Sequence, residues 1–188
     1  YSEINDIPYN DLLADTYLIN SSNSFIDLNN FLNKNKNDFF NKYIYNFLLK
    51  KYGIDKLLII ASMIEKEAKN DQDKSLIASV IINRLNANMR LQIDATVIYS
   101  ITEGKYKLNR KLKYSDLKIK HPYNTYHIKG LPPKMISYVS SNTLKKIFEN
   151  IKSNYFFYFY NVLEGKHIFS ENFKEHKLKL NEYRKKTK

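Results

Sequence analysis

The feature that most constrains the fold is an apolar run at residues 57–64, which leads directly into Glu65. Its eight residues carry no charge, and a helix that is apolar on most sides is buried in a protein core. We therefore predict a buried helix over residues 54–68. Because burial disfavours an ionised carboxyl group, we expect a raised pKa at Glu65, as a general acid requires. The alternative is that Glu65 is a solvated residue of the last helical turn.

Apolar residues at helical spacing also flank this segment. Residues 25–52 predict two amphipathic helices with an interruption at residues 33–37, and Gly53 ends the second helix. A further helix is predicted over residues 74–88, with Asp73 as its N-cap. Since only a short turn separates it from the buried helix, the two should pack as a helical hairpin.

The second half of the chain contains strand signals. Residues 155–160 are aromatic throughout, and Gly165 follows them before residues 167–169, which predicts a β-hairpin. Helices followed by strands, without regular alternation, indicate an α+β fold in which the helical hairpin packs with a small, mainly antiparallel sheet. The other predicted elements are a loop with a short strand in residues 1–20, a strand-like segment at 121–128, and helices at 142–151 and 173–183.

Composition excludes several classes of protein. The chain has no Cys, and its 4 His lack the spacing of a zinc motif, so we expect no metal and no cofactor. No apolar stretch reaches the ~18 residues of a membrane-spanning helix. The net charge of +12 fits a polyanionic partner such as nucleic acid, or AT-rich codon usage that inflates Lys. No glycine-rich nucleotide motif or RNA-binding signature is present.

Three polar clusters follow the predicted hairpin. In the first, polar residues alternate with apolar ones, so an extended backbone would place them on one face. The second sets an amide and a hydroxyl between tyrosines, a combination suited to sugars. Each cluster also fits a structural interpretation, as a solvated strand face, a capped turn or an edge strand. Their members are Gln92, Asp94 and Thr96, then Tyr123, Asn124, Thr125 and Tyr126, and finally His167.

In order and spacing, these segments resemble the MltG (YceG-like) endolytic murein transglycosylases. The resemblance covers roughly residues 54–182 and extends weakly to residues 15–17. Ala95 stands where the family usually has Pro, and residues 134–135 replace its Gly-Pro. The resembling segments are ASMIEKE at 61–67, NRL at 83–85, MRLQIDATVIY at 89–99, PYNTY at 122–126, GLPP at 130–133 and HIFS at 167–170.

This resemblance implies a bacterial envelope enzyme that cleaves the MurNAc–GlcNAc bond of peptidoglycan glycan strands without hydrolysis, leaving 1,6-anhydroMurNAc ends. It implies the inner membrane as location, with the catalytic domain facing the periplasm and cell-wall synthesis proteins as possible partners. Family members carry an N-terminal membrane anchor and a LysM-like region, neither of which we recognise here. We expect one catalytic domain over residues 1–188, in which residues 21–53 form a helical lobe.

One carboxyl group suffices for such chemistry. A hydrolytic glycosidase uses two carboxylates, whereas here the C6 hydroxyl of the sugar attacks its own anomeric carbon at high effective concentration. The family's catalytic acid matches Glu65, and Ser62 on the same face leaves room for a ligand. We expect Glu67, on another face, to structure the site or point to solvent. The substrate-binding candidates are Ser62 and all members of the three clusters; Asn83, Arg84 and Glu67 are structural or secondary candidates.

Two other functions remain open from the residues alone. A degenerate murein- or sugar-binding module would keep the aromatic and amide groups without turnover. A nucleic-acid-binding protein is motivated only by the charge, and its binding should fall steeply with salt.

Overall fold

The structure is a computed structural model that describes residues 8–19 and 24–187. Within these residues it has an α+β architecture of helices and one antiparallel β-hairpin, which confirms the predicted fold class. No helix in this part of the chain is long and apolar enough to cross a membrane. The elements are α1 (Phe25–Lys42), α2 (Phe47–Glu67), α3 (Asp71–Asn86), α4 (Asp94–Thr102), α5 (Ser141–Phe148), β1 (Phe157–Asn161), β2 (Lys166–Ser170) and α6 (Phe173–Lys186).

Helix α2 is the centre of the core, as its apolar run predicts. Leu57, Ile60 and Ile64 are fully buried, because helices α3, α4 and α5 all pack against α2. Gly53 adopts φ 73° and ψ 169° and breaks the helix at the predicted position. An L residue with a side chain rarely adopts this positive φ, so glycine is required there.

Helices α2 and α3 form the predicted hairpin, but α3 begins earlier than expected. The N-cap is Asn70, whose side chain accepts a hydrogen bond from Asp73 N–H at 2.9 Å. Asp73 was expected to be the cap, and its carboxylate instead turns into the core towards His167. Asn and Asp are both good caps, so the local sequence does not distinguish them.

Helix α1 is continuous, whereas the sequence predicted an interruption at residues 33–37. Leu32 and Phe40 are both buried, and their spacing of about two turns keeps them on one helical face. The polar residues between them lie in the intervening turns and do not break the backbone hydrogen bonding. Phe40 packs edge-on against Phe148 of α5, which joins α1 to the core.

The β-hairpin also forms as predicted, with Phe157 opposite Ser170 and Asn161 opposite Lys166. Helix α6 packs against it, and the rings of Phe157 and Phe173 lie 5.8 Å apart.

Three predicted extended segments contain no strand among the described residues. Asp94 begins helix α4, so the polar residues of the first cluster do not share one extended face. Residues 121–128 form consecutive turns, and residues 8–19 contain no strand. Residues 1–7, from the same predicted segment, lie outside the described residues, as do 20–23 and 188. The turns at 121–128 form because Asn124 donates to Leu117 O at 3.1 Å and to Ile119 O at 2.7 Å.

Candidate active site

Glu65 lies in the last turn of α2, opposite the N-terminus of α5. Its Oε1 accepts hydrogen bonds from the backbone N–H of Ser140 at 2.8 Å and from the Ser140 hydroxyl at 2.5 Å. Partial burial by itself raises the pKa of Glu65, but bonds from Ser140 and Thr143, with the charge of Lys74, outweigh it and lower the pKa. The expected rise in the Glu65 pKa is therefore wrong, because donors at a helix N-terminus stabilise a carboxylate.

Glu65 faces a cavity of about 680 Å³. A smaller cavity of about 390 Å³ adjoins it, and Tyr9 and Tyr99 line both. Tyr123 lines the smaller one, and its ring lies 4.7 Å from the ring of Tyr99. Together the two cavities form an aromatic groove with Glu65 in its larger part, of a size typical of ligand sites. Other residues of the larger cavity include Lys66, Ala95, Ile98, Thr102, Tyr106, Leu108 and Tyr138.

The carboxyl group with the raised pKa is that of Glu67. Its burial raises the pKa to about 7, a bond from Ala95 N–H lowers it, and the nearby charge of Asp94 raises it. The Ala95 bond reaches Oε1 at 3.2 Å and joins the end of α2 to the first turn of α4. Of the two roles expected for Glu67, the structure therefore favours structuring the site over pointing to solvent.

Gln92, Asp94 and Tyr126 lie near the start of α4. Gln92 is exposed and has φ 52°, and its backbone N–H donates to Thr125 O at 3.1 Å. Asp94 is exposed and accepts a hydrogen bond from the Tyr126 hydroxyl at 2.7 Å. Both Gln92 and Asp94 are accessible to a ligand, but the tyrosine already uses one oxygen of Asp94.

The Thr96 and Thr125 side chains are fully buried. Their hydroxyl oxygens lie 2.8 Å apart, and Ile93 N–H donates to Thr125 Oγ1 at 2.9 Å. Ser62 is also fully buried; its hydroxyl donates to Ile59 O and accepts from Ile136 N–H. A fully buried hydroxyl with protein partners does not face a ligand. These three residues, expected to bind substrate, hold the backbone around the cleft instead.

Asn124 and His167, also expected to contact substrate, are likewise buried. Asn124 is fully buried and closes the turns described above. His167 of β2 lies with its Nδ1 2.7 Å from Asp73 Oδ2 of α3. The pair ties the β-hairpin to the helical hairpin.

Asn83 and Arg84 connect α3 to the segment that enters β1. The amide of Asn83 donates to Tyr155 O at 2.9 Å. The guanidinium of Arg84 donates to Phe156 O at 2.6 Å and to Leu91 O at 2.7 Å. These bonds support the structural role expected for both residues.

Sequence reasoning missed Ser140 and the groove residues Tyr9, Tyr99 and Tyr138. Ser140 carries one local signal, since its hydroxyl accepts from Thr143 N–H as the N-cap of α5. That pattern predicts a helix start but not which carboxylate lies there. Within residues 8–19 and 24–187, no three His, Asp or Glu side chains are arranged to hold a metal ion.

Comparison with known proteins gives one consistent family. A model of the YceG-like family matches residues 10–182. An endolytic murein transglycosylase of Bacillus subtilis is 35% identical over 166 residues, covering 88% of this chain and 45% of that protein. One from Streptococcus pneumoniae strain D39 is 34% identical over 130 residues, covering 68% of this chain and 23% of that protein.

A crystal structure agrees with these matches. A yceG-like protein from Listeria monocytogenes superposes with a TM-score of 0.76 at 34% identity, covering 89% of this chain and 54% of that one. The chain thus spans about half of the Bacillus subtilis relative and about a quarter of the Streptococcus pneumoniae relative.

Proposed function

Because the chain belongs to the YceG-like family, we propose that it is a lytic transglycosylase that cleaves peptidoglycan glycan strands. The bond cleaved is the MurNAc–GlcNAc glycosidic bond, and the product carries a 1,6-anhydroMurNAc end. One observation carries the assignment to a residue: Glu65 is the carboxyl group that both lines the large cavity and meets the N-terminus of α5.

Glu65 acts first as acid and then as base in this proposal. Its carboxyl proton passes to the glycosidic oxygen as the bond from that oxygen to C1 breaks. The C6 hydroxyl of the same sugar then attacks C1, and Glu65 takes the hydroxyl proton as the C6 oxygen–C1 bond forms. No water is consumed, and the enzyme returns to its starting protonation state.

The lowered pKa of Glu65 is compatible with both steps. In the free protein, Ser140 stabilises the carboxylate, which is the form that accepts the C6 proton and opposes positive charge at C1. A glycan that fills the cavity excludes water from Glu65. Loss of solvent favours the neutral form, so substrate binding raises the pKa towards the value needed for proton donation.

Glu67 has the pKa of a general acid but not the position. Its Oε1 is held by Ala95 N–H, and Glu65 is the glutamate of the two that lines the larger cavity. A catalytic acid must reach the proton acceptor before its pKa matters. The geometry therefore favours Glu65.

The groove supports a polymeric sugar substrate. Tyr99 and Tyr123 present aromatic rings along the smaller cavity, and aromatic rings with nearby polar groups are typical of binding sites that must hold apolar faces and hydroxyls together. We propose Tyr123, Gln92, Asp94 and Tyr126 as substrate contacts, and one catalytic domain that includes α1 and the start of α2. Anchoring in the inner membrane, a periplasmic orientation and cell-wall synthesis partners are further parts of the proposal.

Digestion of purified sacculi tests this function. Mass spectrometry of the released muropeptides should show anhydro ends, which lack one water relative to reducing ends. A digest with reducing ends alone would assign a hydrolase. Retention on sacculi without any release of fragments would assign the alternative, a non-catalytic sugar-binding module. If the protein neither cleaves nor binds sacculi, and instead binds nucleic acid with an affinity that falls with salt, a nucleic-acid-binding function would be favoured.

A further inference from the structure

We propose that Glu67 is a positioning residue, which holds the N-terminus of α4, and with it one wall of the Glu65 cavity, through its bond from Ala95 N–H. This inference rests on the proposed function for its effect on catalysis. Its effect on α4 itself does not depend on that function.

The geometry connects Glu67 to the cleft through one short path. Glu67 is the last residue of α2 and follows Glu65 by two positions. Its carboxyl oxygen meets the first turn of α4 at Ala95. That helix contributes Ala95, Ile98, Tyr99 and Thr102 to the cavity that Glu65 faces. A shift of α4 relative to α2 would therefore change the distance between this wall and the catalytic carboxyl group.

The surroundings of Glu67 make its protonation state matter. Asp94 of α4 places a second carboxylate nearby, and Lys69 provides a nearby positive charge. The Tyr158 side chain of β1 hydrogen-bonds to Glu67. Tyr126 and Arg84 complete the group, because each interacts electrostatically with Tyr158, and Tyr126 also with Glu67.

These surroundings stabilise the neutral form of Glu67 in the folded protein. Burial, followed by the charge of Asp94, keeps its pKa near 7 against the bond from Ala95 N–H. Because the folded-state pKa is raised above the ordinary value for Glu, the stabilisation is complete at low pH and is lost as pH rises through about 7. Above that pH, the ionised Glu67 accepts more strongly from Ala95 N–H, but it lies in a partly desolvated position beside Asp94. We expect the repulsion between these two carboxylates to outweigh the stronger bond and to weaken the junction between α2 and α4.

Two substitutions at Glu67 separate positioning from proton transfer. Glu67→Gln keeps the size and an oxygen that can accept from Ala95 N–H, but it stays neutral at every pH. Glu67→Ala removes the acceptor. The full chain and both variants are assayed on glycan strands at pH 6 and pH 8, with KM and kcat determined separately.

At pH 6 we expect the KM of Glu67→Gln to equal that of wild type. At pH 8 we expect the wild-type KM to rise several-fold, whereas the KM of Glu67→Gln stays at its pH 6 value. We expect Glu67→Ala to raise KM several-fold at both pH values. The inference is overturned if Glu67→Ala behaves as wild type, or if Glu67→Gln shows the same rise in KM as wild type. It is also overturned if folded Glu67→Gln has no activity at either pH, because Glu67 would then exchange the proton itself.

Amide hydrogen exchange of α4 provides a readout that needs no substrate. At each pH, exchange of residues 94–102 is compared between proteins, so that the intrinsic pH dependence cancels. We expect faster exchange in wild type than in Glu67→Gln at pH 8, equal exchange at pH 6, and faster exchange in Glu67→Ala at both. Equal exchange in all three proteins overturns the inference. If the exchange pattern is as expected but the wild-type protein does not cleave glycans, the positioning role of Glu67 stands and only the proposed function is rejected.

Discussion

Glu65 and Ser140 are 75 residues apart in sequence, yet the backbone N–H and the hydroxyl of Ser140 both donate to the same Glu65 oxygen, at 2.8 and 2.5 Å. Ser140 is also the N-cap of α5. One serine therefore begins a helix and sets the charge state of the proposed catalytic carboxyl group. The contact makes the N-terminus of α5 part of the candidate active site.

Glu65→Gln should abolish glycan cleavage without unfolding the protein. The amide keeps the shape of the side chain but cannot donate and recover a proton, and loss of general acid–base catalysis costs on the order of 10²–10⁴-fold. Release of anhydro-muropeptides measures the effect. Glu182→Gln is a matched control, because Glu182 is exposed on α6 and its substitution should leave the rate unchanged. Near wild-type cleavage by Glu65→Gln would assign the acid to another residue.

Ser140→Ala should raise the pKa of Glu65 and destabilise α5. The hydroxyl bond that favours the carboxylate is lost, so the alkaline limb of the pH–rate profile, on which activity falls as Glu65 loses its proton, should move to higher pH. Loss of an N-cap costs about 0.5–2 kcal/mol, measured by urea unfolding. Ser24→Ala removes the corresponding cap of α1 and should lower stability without moving the profile. An unchanged profile in Ser140→Ala would show that its hydroxyl does not tune Glu65.

His167→Ala should lower stability without selectively lowering turnover. The substitution removes the ring that lies 2.7 Å from the buried Asp73 carboxylate, which keeps its bonds from the Asn70 amide and from the backbone N–H of residue 167. Loss of one hydrogen bond to a charged group costs roughly 1.5–3 kcal/mol. Urea unfolding measures the loss, and the rate per folded molecule should stay near wild type. Asp73→Asn, which alters the other partner, should behave similarly. Loss of turnover at wild-type stability would restore His167 as a substrate contact.

Thr125→Val should destabilise the junction between α4 and the turns at residues 121–128. Valine nearly matches threonine in shape but cannot accept from Ile93 N–H or pair with the Thr96 hydroxyl. We expect a loss of roughly 1–3 kcal/mol in the free energy of unfolding. Thr125→Ser keeps the hydroxyl and should cost less than Thr125→Val. Equal losses in the two variants would show that the methyl group, which serine lacks, contributes as much as the hydroxyl, and a Thr125→Val protein as stable as wild type would contradict the prediction.

The sequence predicted best where a pattern is local and repeated. The run at residues 57–64 gave the buried helix, and the aromatic residues at 155–160 gave the β-hairpin, because burial of a periodic face fixes an element's type. The sequence predicted secondary structure less well where hydrogen bonds from polar side chains determine the backbone conformation. Residues 91–96 alternate like a strand, but Asp94 begins a helix and Asn124 folds residues 121–128 into turns.

Candidate polar residues were identified more accurately than their roles. Thr96, Thr125 and Asn124 all lie near the start of α4 or in the turns that pack on it, so their place in the region follows from the sequence. The sequence does not reveal that all three side chains are fully buried. A polar residue has the same chemical type whether it faces a ligand or pairs inside the protein, and only packing distinguishes the two.

By itself, the sequence determined the family resemblance, the buried helix and the presence of two glutamates at its end. Only the tertiary structure decided which glutamate has the raised pKa. Ser140 lowers the Glu65 pKa from 75 residues away, while burial raises that of Glu67. A carboxyl group's pKa depends on the solvent, donors and charges around it, and for both residues these surroundings are created by the packing of segments distant in sequence.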